Sequence, residues 1–257
     1  MYFVNIETGR SELVSETSRG FSFLSWSPDG SKVVMTVYLD SIWILDIATQ
    51  QIDYLTEGEG AVWFPDGERL AVYVGPSWSR GTDHREIHII DLEGNIHRSF
   101  DVGDAIPEFG QVSSSDLDSA LIPIEYLSGI SMAPNGDRLI FSLATYANRE
   151  EMWESYVVNI NDGSIHPFLP DDPVRGVSWS PDSTKIAYIR GQRIREGELF
   201  ISDSNGICKF KLELPPEFSS PTWSLNTFKI MFLYDGYIHQ WDFNTNLKST
   251  EQGTGCP

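Results

Sequence analysis

The apolar residues of this chain fall into short runs separated by polar turn residues. Two examples are residues 21–26 (FSFLSW) and 32–38 (KVVMTVY), which flank turn residues at 27–31. Runs that are rich in β-branched and aromatic residues and bounded by Gly, Pro, Asn or Asp indicate β-strands. Similar runs recur along the sequence, so we predict an all-β chain; they lie at 69–74, 138–143, 185–189 and 229–234.

One phrase recurs between pairs of these strands. It occurs at 26–30 (WSPDG), 63–67 (WFPDG), 132–136 (MAPNG), 179–183 (WSPDS) and, without the proline, 223–227 (WSLNT). Pro fixes φ at the first turn position, Asp or Asn hydrogen-bonds the backbone just ahead, and Gly accepts a positive φ. Each copy therefore predicts a tight turn between two strands, named A and B.

A second phrase follows each copy of the first. Two apolar residues precede Asp or Asn at 44–47 (ILDI), 89–92 (IIDL) and 157–160 (VVNI), with looser copies at 200–203 and 240–243. Turn residues follow, as at 93–95, 161–163 and 204–206, and predict a second hairpin with strands C and D. A repeat of four antiparallel strands is typical of a β-propeller blade.

The phrase at the A–B turn resembles that of the TolB-like β-propellers and, more distantly, that of the WD-repeat proteins. The resemblance covers nearly the whole chain and implies the propeller fold. It also implies a protein-binding scaffold, as in some members, or a propeller attached to an enzyme domain, as in others. We expect the repeated tryptophans to fill the space between blades and the prolines to shape the turns; these residues are Trp26, Pro28, Trp63, Pro65, Pro134, Trp179, Pro181 and Trp223.

We expect residues 1–257 to form a single propeller domain. Residues 1–20 are predicted to be the C–D hairpin of a closing blade, and the five blades cover 21–59, 60–127, 128–173, 174–218 and 219–257. There are thus six C–D hairpins but five A–B hairpins. Two explanations stay open: an N-terminally truncated six-bladed propeller, or a ring closed by a reduced sixth blade with the C-terminal tail as its inner strand. We favour six blades, one of them incomplete.

Composition excludes several classes of partner. The formal net charge of −19 disfavours binding to nucleic acid and to anionic lipid. No apolar run is long enough to span a membrane, and residues 1–20 lack the apolar core of a signal peptide, so we expect a soluble monomer. The chain is cytoplasmic as written, and periplasmic or extracellular if its N-terminus is truncated. Cys208 and Cys256 are expected to be unpaired thiols.

The long connections all fall on one face of the predicted propeller. The B–C loops at 75–85, 144–154 and 190–198 and the D–A connection at 100–127 are extended, whereas the A–B and C–D turns are tight. Long loops on a rigid scaffold usually carry binding, so we define this side as the loop face. The predicted binding residues are its arginines, suited to carboxylates, and its aromatic anchors: Trp78, Arg80, Tyr146, Arg149, Trp153, Arg193 and Arg195.

An alternative interpretation of the same loops has no function attached. Acidic residues lie among the arginines, including Asp83, Glu150 and Glu198, and could pair with them in exposed salt bridges. Further arginines belong to the same face: Arg85 and Arg190 beside the B–C loops, and Arg19 and Arg175 in D–A connections.

No catalytic or metal-binding pattern is present. The predicted inner strands contain no Asp or Glu, which argues against the carboxylate pair of a propeller glycosidase. Residues 242–253 begin like a calcium loop but lack its Gly and final Glu. Among the histidines, only His84 and His88 have zinc-ligand spacing, and they lie at a loop-to-strand entry where an extended chain keeps them apart. We therefore predict no catalytic residue, no metal and no cofactor.

The leading hypothesis is a non-catalytic β-propeller scaffold that binds a protein or peptide through the loop face. An acidic peptide or a carboxylated ligand would suit the arginines. The first alternative is an enzyme that acts on a carbohydrate or peptide at the channel mouth, using Glu108, Asp116, Asp118 or Glu150. The second is a propeller domain detached from a peptidase-like chain.

Overall fold

Short antiparallel strands account for all regular secondary structure in the part of the chain that the computed structural model describes. These residues are 2–5, 8–13, 20–37, 40–76, 84–103, 124–147, 150–191, 197–212, 221–224, 228–234 and 237–242. The chain divides into two compact units. Unit 1 contains Met1–Val74 and His88–Ser99, and unit 2 contains Gly75–Ile87 and Phe100–Pro257.

The strands follow the predicted order A to D in successive sheets. A two-stranded sheet, β1 (Tyr2–Val4) and β2 (Ser11–Leu13), comes first. Blade 1 consists of β3 (Phe21–Trp26), β4 (Lys32–Val37), β5 (Ser41–Asp46) and β6 (Ile52–Glu57). Blade 2 consists of β7 (Gly60–Trp63), β8 (Arg69–Val74), β9 (Glu86–Asp91) and β10 (Ile96–Asp101).

The remaining three blades follow the same antiparallel order. Blade 3 consists of β11 (Ile124–Met132), β12 (Arg138–Ala147), β13 (Glu150–Asn159) and β14 (Ile165–Pro167). Blade 4 consists of β15 (Val174–Trp179), β16 (Lys185–Arg190), β17 (Glu198–Asp203) and β18 (Lys209–Leu212). The described part of blade 5 consists of β19 (Thr222–Trp223), β20 (Lys229–Tyr234) and β21 (Tyr237–Asp242). The prediction of four-stranded antiparallel blades is confirmed.

The A–B turns have the geometry that their residues dictate. In blade 1, the Asp29 carboxylate accepts hydrogen bonds from Ser27 Oγ at 2.6 Å and from the Ser31 amide at 3.0 Å. Asp182 of blade 4 accepts the equivalent bonds from Ser180 Oγ at 2.6 Å and from the Thr184 amide at 3.0 Å. The last turn residue has positive φ in four blades: Gly30, Gly67, Gly136 and Ser183. Pro28, Pro65, Pro134 and Pro181 all lie in these turns.

Apolar packing joins neighbouring blades within each unit. In unit 1, Val34 of β4 belongs to one buried cluster with Trp63, Leu70 and Val72 of blade 2. The indole nitrogen of Trp63 donates a hydrogen bond to the Ser25 carbonyl at 3.1 Å. Alternation along β4 sends Val33 and its odd-numbered neighbours to the opposite face, where Phe3 packs against them.

In unit 2, the tryptophan of each later blade contacts strand A of the blade before it. The Trp179 amide donates to Ser131 Oγ at 3.2 Å, and the Trp223 amide donates to Ser178 Oγ at 3.1 Å. Both rings lie in the apolar clusters between blades, and their exposed fractions are 3% and 4%.

Trp26 departs from this pattern. It was predicted to be buried between blades, but 45% of its surface is exposed and its ring contacts Phe3 at a centroid distance of 4.7 Å. The physical reason is that the sheet before blade 1 has only the two strands β1 and β2 in the described part of the chain. The prediction of a core position is therefore wrong for this tryptophan.

Two expectations about connections also need correction. Residues 144–147 and 150–154 were predicted to be loop but extend β12 and β13, which have 10 residues each. Similarly, β11 begins at Ile124, inside the predicted D–A connection and before the predicted blade boundary at 127/128. The ladder of blade 3 is therefore longer than its turn signals indicated.

The cysteine prediction is wrong as well. Cys208 is disulfide-bonded, and Cys256 is the only other cysteine in the sequence. The expectation of unpaired thiols rested on the low number of cysteines, which does not reveal what the fold brings together. Among the described residues, no helix is long and apolar enough to cross a membrane.

Candidate functional site

The B–C hairpin of blade 3 is longer than the other described B–C hairpins. Its strands pair without interruption from Arg138 opposite Asn159 to Ala147 opposite Glu150. In blade 1, the equivalent pairing ends after six residues, at Val37 opposite Ser41. Four extra residues per strand correspond to about 13 Å at the rise of a β-strand. Because β11 pairs with β12 along this extension, the three strands form one continuous ladder, which we call the raised wall.

A bidentate ion pair ties the wall to the start of β9. Arg85 Nε lies 2.8 Å from Glu125 Oε1, and its Nη2 lies 3.1 Å from Oε2. The Glu125 side chain is 7% exposed. Arg85 therefore holds an almost buried carboxylate in a fixed orientation, which is the strong form of an Arg–carboxylate contact.

A second polar pair lies on β13, close to that carboxylate. The buried Tyr156 hydroxyl donates a hydrogen bond to Glu154 Oε2 at 2.7 Å. Burial raises the pKa of Tyr156, and the Glu154 carboxylate raises it further. The phenol therefore stays protonated and acts as a donor at neutral pH.

The opposite face of the wall has an aromatic cluster with a buried cation. Tyr126 and Trp153 both lie opposite Ala144 in the ladder, and their rings meet edge to face at 6.4 Å across this small residue. The Arg175 guanidinium lies 5.1 Å from the centre of the Trp153 ring. Arg175 is 7% exposed, so its charge interacts with that ring away from bulk water.

Arg175 also lies close to both ends of the B–C loop of blade 4. Its Nη1 donates to the Gly191 carbonyl at 3.4 Å. At the other end, a Cβ on Gly197 would clash with the Ile189 side chain and lie 2.8 Å from Arg175 Nη2, so glycine fits this close approach. Arg175 lies on β15 rather than in the D–A connection where it was predicted. It joins the blade 4 loop to the raised wall.

Arg190, predicted to lie beside the B–C loop of blade 4, belongs to a chain of ion pairs. Its Nη1 lies 3.6 Å from Asp172, and its Nη2 lies 3.6 Å from Glu198. Lys209 contacts Asp172 at 2.7 Å, and Lys211 contacts Glu198 at 2.8 Å. The hydrogen bond from Lys211 is the main cause that lowers the pKa of Glu198. Arg190 thus pairs with Glu198, one of the acidic residues of the non-functional alternative, whereas the partner of Arg85 is Glu125, which that alternative did not include.

The seven predicted binding residues divide into three groups. Tyr146 lies on β12, in register with Ile124 and Glu151, at the raised end of the wall. Trp153 is 8% exposed and packs as described above. The others lie outside the described residues: Trp78, Arg80, Arg149, Arg193 and Arg195. Of the residues proposed for an enzyme, Glu150 begins β13, whereas Glu108, Asp116 and Asp118 also lie outside.

Sequence reasoning missed the residues that build the wall. Glu125 and Tyr126 lie in what was predicted to be a connection, and their partners are 40 and 27 residues away along the chain. The available signal for the longer strands was that apolar residues continue beyond Leu143, at Ala144, Tyr146 and Ala147. No group of three or more His, Cys, Asp or Glu side chains within the described residues could hold a metal ion.

Comparison with known proteins concerns the fold. No protein-family model matches the chain, and no curated protein matches it. A solved structure of TolB from Agrobacterium tumefaciens superposes with a TM-score of 0.68 over 94% of this chain and 83% of that one, at 16% identity. The fold is a TolB-like β-propeller. The resemblance inferred from the repeated phrase is thereby confirmed.

Other solved propellers show the same likeness. The β-propeller domain of the Trilobed protease from Pyrococcus furiosus has a TM-score of 0.52 and 15% identity, with 94% of this chain and 72% of that domain covered. A chain of the Mitotic Checkpoint Complex has a TM-score of 0.56 and 14% identity, with 94% and 83% covered. At identities of 14–16%, these similarities establish the fold of the TolB-like propeller and nothing more.

Proposed function

We propose that this TolB-like propeller is a non-catalytic scaffold that binds a protein or peptide through its loop face. The observation that carries the proposal is the raised wall formed by β11, β12 and β13. An extended ladder on one face presents side chains from a hydrogen-bonded surface rather than from a free loop. Binding to such a surface loses less conformational entropy than binding to a loop that must first be ordered.

The contacts of the wall support a rigid binding surface. The Arg85–Glu125 ion pair holds one side, and the Tyr126–Trp153 contact over Ala144 holds the other. Arg175 then links Trp153 to Gly191 and Gly197, which bound the loop that contains Arg193 and Arg195. The predicted arginine loop of blade 4 is therefore attached to the wall through a buried guanidinium.

The expected ligand is an acidic or carboxylated segment of a partner. Arg80, Arg149, Arg193 and Arg195 offer planar donor groups that match carboxylates in bidentate geometry. Because the whole chain carries a net charge of −19, such a ligand gains affinity from local contacts rather than from long-range attraction. A chain of similar fold is part of the Mitotic Checkpoint Complex, an assembly, which fits a scaffold role.

The test is affinity capture from lysate and envelope fractions of the source cell. Wild type is compared with the Arg193→Glu, Arg195→Glu double variant and with a charge-matched control, Arg10→Glu, Arg98→Glu, whose residues are exposed on unit 1. We expect a protein that wild type and control retain and the loop variant loses, with at least about a tenfold weaker Kd by calorimetry. Equal retention by all three would contradict binding through these arginines.

We also propose that β1 and β2 are the C–D half of a sixth, incomplete blade. Phe3 packs against the cluster of Val33, Met35, Val37 and Leu45 on the face of blade 1 that blade 2 does not cover. That placement is expected of the outer hairpin of a preceding blade. Exchange of amide hydrogens tests it: Phe3→Ala should accelerate exchange in β4 of blade 1 and leave β16 of blade 4 unchanged.

A further inference from the structure

The connection from blade 3 to blade 4 packs against the aromatic side chains of blade 4. It consists of residues 168–173 (FLPDDP), between the end of β14 and the start of β15, and we call it the strap. The Phe168 ring meets the Tyr188 ring of β16 edge to face at 5.7 Å, and Tyr188 stacks on Phe200 of β17. These three aromatic residues are at most 8% exposed. The strap therefore covers an aromatic surface of blade 4.

Backbone hydrogen bonds hold the strap at its two ends. At the first end, the Phe168 amide donates to the Ser155 carbonyl of β13 at 2.7 Å. At the second end, the Pro173 carbonyl accepts from the Gly191 amide at 3.1 Å. In the part of the chain that the structure describes, no backbone hydrogen bond joins residues 169–172 to either blade. The middle of the strap therefore depends on its side chains.

Two side chains hold the middle of the strap. The Asp172 carboxylate lies 2.7 Å from Lys209 Nζ and 3.6 Å from the Arg190 guanidinium. Leu169 packs so close to Gly206 that a Cβ on this glycine would lie 2.5 Å from Leu169 Cδ2. The φ of Leu169 is 54°, a left-handed conformation that costs free energy in residues with a large side chain. The closed strap therefore stores backbone strain at its middle.

The covered face of blade 4 contains two hydroxyl groups that closure leaves without a hydrogen bond. Tyr188 OH and Ser202 Oγ are shielded from solvent, and neither has a partner among the described residues. Ser202 lies on the same face of β17 as Phe200, because side chains alternate along a strand. Burial raises the pKa of Tyr188, and the charge of Asp172 raises it further, so this hydroxyl stays protonated at neutral pH. Burying a polar group without a partner costs free energy.

We propose that the strap is a conformational device that opens as a unit while both blades stay folded. Opening relaxes the backbone of Leu169 and lets water reach the two buried hydroxyls. These gains partly offset the lost salt bridge and the lost aromatic burial, so opening costs less free energy than unfolding of blade 4. The open strap uncovers the stacked rings of Tyr188 and Phe200, with the Arg190 guanidinium 4.6 Å from the centre of the Phe200 ring. The device does not depend on binding through the loop face.

Native-state hydrogen exchange of the full chain, followed by NMR, tests this inference. The Phe168 and Gly191 amides make the bonds at the two ends of the strap. We expect both to exchange through one common opening, with an opening constant at least about tenfold larger than that of the amides inside β16. Lys209→Met removes the salt bridge to Asp172 and should speed exchange at both amides by about two- to fivefold.

Removing an unpaired hydroxyl should make opening rarer. Tyr188→Phe keeps the ring and should slow exchange at both end amides of the strap at least about fivefold. Ser202→Ala should change exchange in the same direction. Tyr156→Phe is the matched control, because the Tyr156 hydroxyl is hydrogen-bonded to Glu154 and its loss should not slow the strap amides.

Two results would overturn the proposal. One is exchange of the strap amides only together with those inside β16, which would mean that the strap opens only when blade 4 unfolds. The other is unchanged or faster exchange of the strap amides in Tyr188→Phe relative to wild type, which would mean that the buried hydroxyl does not destabilise the closed strap. Slower exchange in Tyr188→Phe but not in Tyr156→Phe supports the device.

Discussion

At the scale of single residues, the repeated phrase works through one short carboxylate per turn. Asp29 and Asp182 each accept a serine hydroxyl from the residue two before and an amide from the residue two after. At Asp182, burial raises the pKa, but the hydrogen bonds from Ser180 and Thr184 lower it by more, so the net shift is downward from 3.8. The fully exposed Asp29 has its pKa lowered to about 2, mainly by the Ser27 hydroxyl.

The lowered pKa of Asp182 predicts how the free energy of unfolding responds to acid. A carboxyl group whose folded pKa is depressed stabilises the fold above its unfolded pKa, and that contribution is lost as pH falls through the folded value. We expect Asp182→Asn to reduce the loss of unfolding free energy on going from neutral pH to below 3.8, as measured by urea denaturation. Asp53→Asn serves as the control because this carboxyl is exposed on β6. An unchanged acid response in Asp182→Asn would contradict the role of this turn.

At the scale of elements, the raised wall depends on contacts that lie far apart in sequence. β12 and β13 exchange backbone hydrogen bonds along ten residues, and β11 adds a third strand. Each face of the wall contacts one arginine. Glu125 pairs with Arg85 on one face, and the Trp153 ring packs against Arg175 on the other. Its geometry therefore depends on two arginines, one paired with a carboxylate and one with an aromatic ring.

The Glu125 carboxylate should be a sensitive point of the wall. Replacing it with Gln leaves the Arg85 guanidinium without its charged bidentate partner in a largely buried position. We expect Glu125→Gln to lower the free energy of unfolding by about 1–3 kcal/mol. Glu93→Gln, at an exposed position after β9, should change it by less than about 0.5 kcal/mol. Equal effects of the two variants in urea denaturation would show that the ion pair does not stabilise the wall.

At the scale of the whole molecule, the chain repeats one four-stranded sheet, and the sheet before blade 1 has two strands, β1 and β2, among the described residues. Identical local turns recur in both units, yet Trp26 is exposed where Trp63, Trp179 and Trp223 are buried. The difference comes from the neighbouring sheet and not from the tryptophan itself. A disulfide bond at Cys208 also belongs to this scale, because it links parts of the molecule that are far apart in sequence or in different chains.

The disulfide can be tested directly. Since Cys256 is the only other cysteine, a non-reducing digest should contain one cross-linked peptide pair with Cys208 and Cys256, and thiol labelling should be negative. A loop of this length would contribute roughly 4 kcal/mol by the chain-entropy estimate, so reductant should lower the Tm of wild type. Cys208→Ser should have a lower Tm that no longer responds to reductant. Dimers on a non-reducing gel would show instead that the bond joins two chains.

Much of the fold could be predicted because its signals are local. A proline, an Asp and a residue with positive φ within five positions dictate a turn, and apolar runs rich in β-branched and aromatic residues dictate the strands on either side. The order of strands A to D followed from the two repeated phrases. The length of β12 and β13 could not be predicted in this way, because the end of a ladder depends on whether a partner strand continues beside it.

The sequence by itself thus determined the repeat, its turns and the TolB-like propeller fold. Only the tertiary structure decided that Trp26 is exposed, that Arg85 is paired with Glu125, that Arg175 is buried against Trp153, and that Cys208 is bonded. The physical reason is sequence distance. Turn geometry arises from residues within one hairpin, whereas burial, ion pairing and cross-linking depend on which distant strands the fold places side by side.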